Sequence, residues 1–325
     1  MKHPFLTALI VATSVVSATH ASAQSTWPER TVKIVVPYPA GPGPADTIAR
    51  ILGEKLAKQL GQPFVVENKP GASGNISTEY AVRSPADGYT LLLGAIGPMA
   101  INPNIFKSLS FDVSKDLQPV SFVGTENFVL VTGTSTGVTS LKDLVVRAKE
   151  KPDAFSYGSS GVGSGTHLAG ELFQRAAGIR LLHVPYRGGT SVINDVLAGT
   201  IPLNFTSAPL AAIHQKSGKL NVLAVTSNVR TTLLPDAPTM SEAGYPEAQF
   251  TSWYGFFVPA QTPKPIVDRI HSQINLALED PDARKRIADI GLTLRPMTID
   301  GFKSFVKDET ARIQGLVRSA NITAE

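Results

Sequence analysis

The chain has 325 residues, of which 42% are hydrophobic and none is cysteine, and it carries a formal net charge of +4. A chain of this length can bury large cores without covalent staples, and the missing thiol excludes thiol catalysis, cysteine-ligated zinc and a disulfide scaffold. The basic excess is mild and dispersed, with no basic run interleaved by aromatics, so no nucleic-acid partner is expected.

The first element is MKHPFLTALIVATSVVSATHASA, residues 1–23. Lys2 and His3 lead an apolar run from Phe5 to Val16, and Ala21-Ser22-Ala23 closes it, which is the layout of a secretory signal peptide cleaved before Gln24. A membrane anchor is the poorer reading, because the run is shorter than the roughly 20 residues a bilayer crossing needs and is broken by Thr7, Thr13 and Ser14. Cleavage leaves 302 residues with net charge +3, enough for two domains.

β-rich apolar runs then alternate with amphipathic stretches: VKIVVP, ADTIARILGEKLAKQL, PFVVEN, GNISTEYAVR and YTLLLGA. This alternation predicts an α/β unit with a largely parallel sheet. Ile48, Leu52, Leu56 and Leu60 recur every four residues and form one buried helix stripe, with Asp46 as a cap at its start and Gly61 just past its end. After VSFVGTENFVLVTG a second unit follows: a helix near 141–151, FSYGS, HLAGELFQRA, HVPY, SVINDVLAG and LNFTS. From residue 220 comes KLNVLAVTSNVR, a proline-rich loop, the strand SWYGFFVPA and helices near 265–278, 282–290 and 300–317. The chain is therefore expected to divide into lobe 1, residues 24–124 plus 231–325, and lobe 2, residues 125–230.

Ligand clefts in α/β lobes lie beyond the carboxyl ends of strands, which selects the loops 38–46, 94–99, 158–167 and 187–190. The loop YGSSGVGSGTH satisfies no nucleotide template: Gly163 is followed by Ser164 where a phosphate loop needs lysine, and position 166 is Thr where a dinucleotide fingerprint needs glycine. It offers backbone N–H groups and hydroxyls at a helix N-terminus, where a negative group is favoured; ordinary capping is the alternative. His167 and Glu171 share a helix face, but two ligands do not make a metal site, and no cofactor is expected. Arg187 can clamp a carboxylate through two parallel hydrogen bonds or pair structurally with Asp195, which could instead accept from a ligand donor. A secreted serine hydrolase using Ser160 or Ser164 with His167 is the competing class; it lacks a nucleophile elbow and an orienting third group.

Taken together, PYPAGPGPADTIAR, VENKPGASGN, ADGYTLLLG, YGSSGVGSGTHLAGELF, HVPYRGG, LPDAPTMSEAGYP and SWYGFFVPAQTP resemble, in order and spacing, the substrate-binding receptors of tripartite tricarboxylate transporters, the Bug family. The resemblance covers essentially all of the mature chain. It implies a periplasmic, non-enzymatic receptor with a two-lobed type II binding-protein fold and a ligand cleft between the lobes. It further implies a small carboxylate ligand (a dicarboxylate, tricarboxylate or aromatic carboxylate), membrane transporter subunits as partners, and a monomer. A periplasmic sensor for a membrane kinase would use the same receptor. Carried onto this chain, the carboxylate loops are Tyr38, Ala40, Gly41 and Gly43, and Ser159, Ser160, Gly163, Ser164, Thr166 and His167. Ala95, Ile96, Arg187, Gly188, Gly189, Asp195, Thr206 and Ser207 line the rest. Here Pro42 separates two glycines that are adjacent in the family pattern, and Pro42 and Pro44 each remove a possible N–H donor.

Overall fold

A computed structural model describes residues 27–41, 43–320 and 322–323; the signal peptide and Pro42 lie outside the described residues. Strand β1 (Val32–Val36) leads into helix α1 (Pro44–Leu60), followed by β2 (Phe64–Asn68), α2 (Asn75–Val82) and β3 (Thr90–Ala95). In α1, Ile48, Leu52 and Leu56 are buried and Leu60 packs partly against them, so the four-residue spacing does form one stripe. Gly61 ends the helix at φ 68°, the left-handed conformation that only glycine adopts freely, and its N–H closes on the Ala57 carbonyl.

Beyond β3 a π-helical turn (Gly97–Ile101) runs into α3 (Asn102–Ile105), and α4 (Val113–Asp116) precedes β4 (Leu117–Gly133). The second unit contains α5 (Leu141–Glu150), β5 (Ser156–Ser159), α6 (Gly165–Ala177), β6 (Leu182–Pro185), α7 (Gly189–Leu197), β7 (Leu203–Ser207), α8 (Ala208–Lys216) and β8 (Leu220–Val225). The chain closes with β9 (Thr251–Pro259), α9 (Lys264–Glu279), α10 (Pro281–Asp289), β10 (Leu292–Leu294) and α11 (Ile299–Ala320).

The strands run in the order β2-β1-β3-β9-β4-β7-β5-β6, with β8 and β10 both paired to β4. Only part of this sheet is parallel. β2, β1 and β3 are parallel, as are β7, β5 and β6, but β9 opposes both β3 and β4, and β4 opposes β7. The departure from the expected parallel sheet has a topological cause: β9 returns from the second unit and must run opposite to β3, which heads towards it. β4 pairs with β9 as far as Asn127 and with β7 from Phe128 onward, so one continuous strand serves two lobes. The return path crosses at the same level, where Thr226 N–H donates to the Phe128 carbonyl, Phe250 N–H donates to the Thr226 carbonyl, and the Phe128 and Phe250 rings stack at 6.2 Å. Within residues 231–250, which sequence alone put with the first lobe, Met240 N–H donates to the Val225 carbonyl and Thr239 bridges to Val225, both contacts with the second sheet.

Three apolar clusters hold this frame, one of them within the second lobe, where Ile193, Val196 and Ala211 pack with Val129 and Val131 of β4. Another packs α1, α9 and α10 against β1, β3 and β9. The third lies on the opposite face and extends through both lobes: Phe302 of α11 packs on Phe122 and Phe257 with ring centroids 5.3 and 5.2 Å away. Gly255 makes that approach possible, since a Cβ there would stand 2.3 Å from the Phe302 ring. Among the described residues no helix is long and apolar enough to cross a membrane.

Candidate ligand-binding cleft

The carboxyl ends of β1 and β3 in one lobe and of β5, β6 and β7 in the other face each other, and their loops meet. Tyr38, partly buried, follows β1; its carbonyl accepts from Asn68 Nδ2 at 3.0 Å, and its hydroxyl lies near Gly97. Burial, reinforced by the nearby Glu126 carboxylate, pushes its pKa up, so the phenol remains a donor. Ala40 and Gly41 are exposed and Gly43 half-buried. The N-cap of α1 is Gly43 and not Asp46, which corrects the capping expectation. Asp46 occupies the third helical position, where its carboxylate reaches back to Gly41 N–H at 3.2 Å and takes hydrogen bonds from Arg50 and Asn68 at 2.8 Å each. Burial alone would raise this carboxyl, but the bonds from Arg50, Asn68 and Gly41 outweigh it and leave the pKa below its ordinary value.

The loop after β5 is built differently. Ser159 is fully buried and its Oγ lies 2.6 Å from His183 Nε2 while accepting from Gly161 N–H at 3.1 Å. Ser160 N–H donates to Thr166 Oγ1 at 2.9 Å, and Gly163 N–H donates to His167 Nδ1 at 3.2 Å. Ser164 caps α6 by accepting from His167 N–H at 3.2 Å. The Ser159 side chain and the Gly163 N–H are therefore committed inside the protein. The donors that helix geometry leaves without an intrahelical acceptor are the Gly165 and Thr166 N–H groups of the first turn. Behind them the His167 and His183 rings stack at 4.2 Å, and burial lowers both pKa values to about 4, keeping both imidazoles neutral.

The remaining sequence-selected residues divide in two. Ala95 and Ile96 are both buried in apolar clusters, and the Ile96 side chain reaches the start of α6, its Cγ2 standing 3.4 Å from where a Cβ on Gly165 would lie. Arg187 is exposed and makes no ion pair or hydrogen bond among the described residues; the alternative pairing with Asp195 is not formed, because Asp195 accepts from the Tyr186 hydroxyl at 2.6 Å. Gly188 and Gly189 begin α7, the first facing the loop after β1 and the second the loop after β5: a Cβ on Gly188 would stand 3.5 Å from Pro39 Cδ, and one on Gly189 would stand 3.5 Å from Ser160 Oγ. Thr206 and Ser207 end β7, nearly buried and half-buried respectively.

Some residues near the cleft lay outside the loops selected from sequence. Ser73 and Asn102 meet the selected loops, Ser73 at Val162, although GASG in VENKPGASGN shows the glycine pattern of a tight turn. Glu126 sits in a strand run that is otherwise largely apolar, is 3% exposed, accepts from the Tyr254 hydroxyl at 2.9 Å and is raised by burial to about 7. A lone carboxylate in such a run is the one hint the sequence held.

The arrangement lacks a hydrolytic pair. Ser160 and Ser164 bond to Thr166 and to the His167 backbone rather than to an imidazole, and the serine that does touch a histidine ring, Ser159, is inaccessible. No group of three or more His, Asp or Glu is placed to hold a metal among the described residues. What remains is a set of facing loops with hydroxyls and a guanidinium, Arg187, that has no partner among the described residues, with a match to known proteins that settles its class. Residues 48–322 match the tripartite tricarboxylate transporter family receptor. The chain belongs to that family. It is 37% identical to protein BugT of Bordetella pertussis over 294 residues, covering 90% of each chain. Among solved structures, the periplasmic binding protein BugD is 32% identical with a TM-score of 0.86, covering 91% of this chain and 99% of that one. The R. palustris protein Rpa4515 with adipate gives the same identity, score and coverage. The receptor is thus a periplasmic-type solute-binding protein with the two-lobed fold, and not an enzyme.

Proposed function

We propose that this receptor captures a small carboxylate between its lobes and delivers it to a membrane transporter of the tripartite type. The observation that carries the reading is Arg187, exposed and without a partner among the described residues, in the loop after β6, beside the start of α6, which follows the paired strand β5. A carboxylate satisfies both, because the helix start favours negative charge and the guanidinium binds it through two parallel bonds. The adipate bound by Rpa4515 supports a ligand with carboxylates at both ends. Tyr38 and Ser160 add hydroxyl donors, and Thr206 and Ser207 close the floor.

The lobes of this reading divide where β4 changes partner, after Asn127, and again before Thr251, so that 128–250 form lobe 2. Closure is then a hinge at the two crossings, and a ligand shifts it only as far as it prefers the closed state. The chain reaches the periplasm through cleavage after Ala23 and acts as a monomer. Isothermal calorimetry against mono-, di-, tri- and aromatic carboxylates, adipate included, tests the reading; silence across the whole panel defeats it. Arg187→Ala is expected to weaken whichever carboxylate binds by about tenfold or more, as for a lost charge-assisted bond.

A further inference from the structure

Outside the ligand-facing groups, one contact between the lobes is built with unusual constraint. Ala72 and Ser73 are consecutive non-glycine residues with left-handed backbones, φ 43° and 51°. Side chains resist this conformation, and such residues persist where their surroundings over-determine them. The surroundings here are specific. The Ser73 hydroxyl donates to the Val162 carbonyl in the opposite lobe. The Ser73 carbonyl accepts from Asn102 Nδ2 at 3.2 Å, and Asn102 is oriented by Asn75 Oδ1 at 2.7 Å.

Asn102 is fully buried, yet its Oδ1 has no hydrogen-bond partner among the described residues. That oxygen stands where a side chain at position 163 would go: a Cβ on Gly163 would lie 2.1 Å from it. A Cβ on Gly161 would lie 3.0 Å from Ser73 Oγ, and one on Gly97 would lie 3.0 Å from the Gly163 carbonyl. The glycines of the second loop therefore serve close approach to the first lobe, since Gly163 N–H is already spent on His167.

Resting on the carboxylate reading above, we infer that Ser73 and Asn102 are positioning residues that latch the Gly161–Ser164 loop in the closed receptor and so set how long ligand is held. Neither residue needs to touch ligand. Ser73 supplies the bond across the cleft, and Asn102 holds the strained turn that presents it.

The chain has no cysteine, so a single pair of labels placed at Lys149→Cys and Arg284→Cys reports the separation of the lobes in the full protein. The expected result is a short-distance population in the parent that both Ser73→Ala and Ser73→Gly deplete. Glycine adopts the left-handed turn without strain, so Ser73→Gly keeps the fold while losing the hydroxyl. Identical distance distributions in parent and variants overturn the latch, as does a lowered ligand-free melting temperature with unchanged distances. With adipate as the probe, dissociation is expected to accelerate roughly 3- to 10-fold with association unchanged, the scale of one net hydrogen bond; binding with unaltered dissociation also overturns it. If neither adipate nor any other carboxylate of the calorimetry panel binds the parent while the distances shift as expected, the latch stands and the carboxylate reading falls.

Discussion

The two glycine-rich loops of the cleft look alike in sequence and are held in opposite ways. The first, after β1, is exposed at Ala40 and Gly41, and a single buried carboxylate, Asp46, ties it to Arg50 and Asn68. The second, after β5, is half-buried from Ser160 to Val162, buried at Gly163 and Ser164 where it enters α6, and hydrogen-bonded to itself and to α6, with a stacked histidine pair behind it. One loop is anchored at a point and the other is packed along its length. Glycine content by itself therefore says little about a loop's donors; what lies behind the loop decides which N–H groups are spent.

If the second loop owes its shape to neutral histidines, acid should attack it first. The folded chain keeps His167 neutral down to about pH 4, while the unfolded chain takes up a proton near 6.5, so between those values the unfolded state binds more protons. Stability is then whole above pH 6.5 and falls as the pH drops towards 4, by about 3 kcal/mol for this residue. Glu126 acts in the other direction. Its folded pKa of about 7 lies above the ordinary 4.5, so its contribution is whole below 4.5 and is lost as the pH rises through 7. The two windows overlap between about pH 4.5 and 6.5 with opposite sign, so in urea melts from pH 4 to 9 the stability of Glu126→Gln, which removes the opposing contribution, should fall more steeply towards acid than that of the parent.

His167→Ala removes the acceptor of Gly163 and leaves a void beside His183; a loss of about 2–4 kcal/mol is expected in denaturant melts, together with weaker ligand binding. Asp46→Asn should cost about 1.5–3 kcal/mol, because it removes the charge from a nearly buried hydrogen-bonded cluster. It should also blunt the acid limb below about pH 4, since a carboxyl with a lowered pKa contributes above its ordinary value of 3.8 and loses that contribution as the pH falls. Ala40→Ser, in the exposed part of the first loop, should change stability by less than about 0.5 kcal/mol. A large effect there, or none at His167, would invert the contrast between the loops.

Much of the architecture was legible because its signals are local. The spacing of Ile48, Leu52 and Leu56 placed α1, Gly61 ended it, and the strand runs up to LNFTS fell where the strands lie. The short strand Leu292–Leu294 and helix Ala208–Lys216 were missed, the first for its length and the second because its apolar residues show little periodicity. The candidate site was legible only as a set of loops. Ser159 and Ser160 are neighbours in sequence, yet one is sealed against His183 and the other faces Gly189, a difference no local pattern encodes.

Sequence by itself determined the α/β alternation, most of the long helices and the family, since periodicity, turn residues and ordered motifs are read along the chain. Tertiary structure alone decided that β4 serves both lobes, that Arg187 has no partner among the described residues while Tyr186 takes Asp195, and that Ser73 reaches Val162 across the cleft. These are contacts between residues distant in the chain or rivals for one partner. Which of them form depends on how the packed elements bring the groups together.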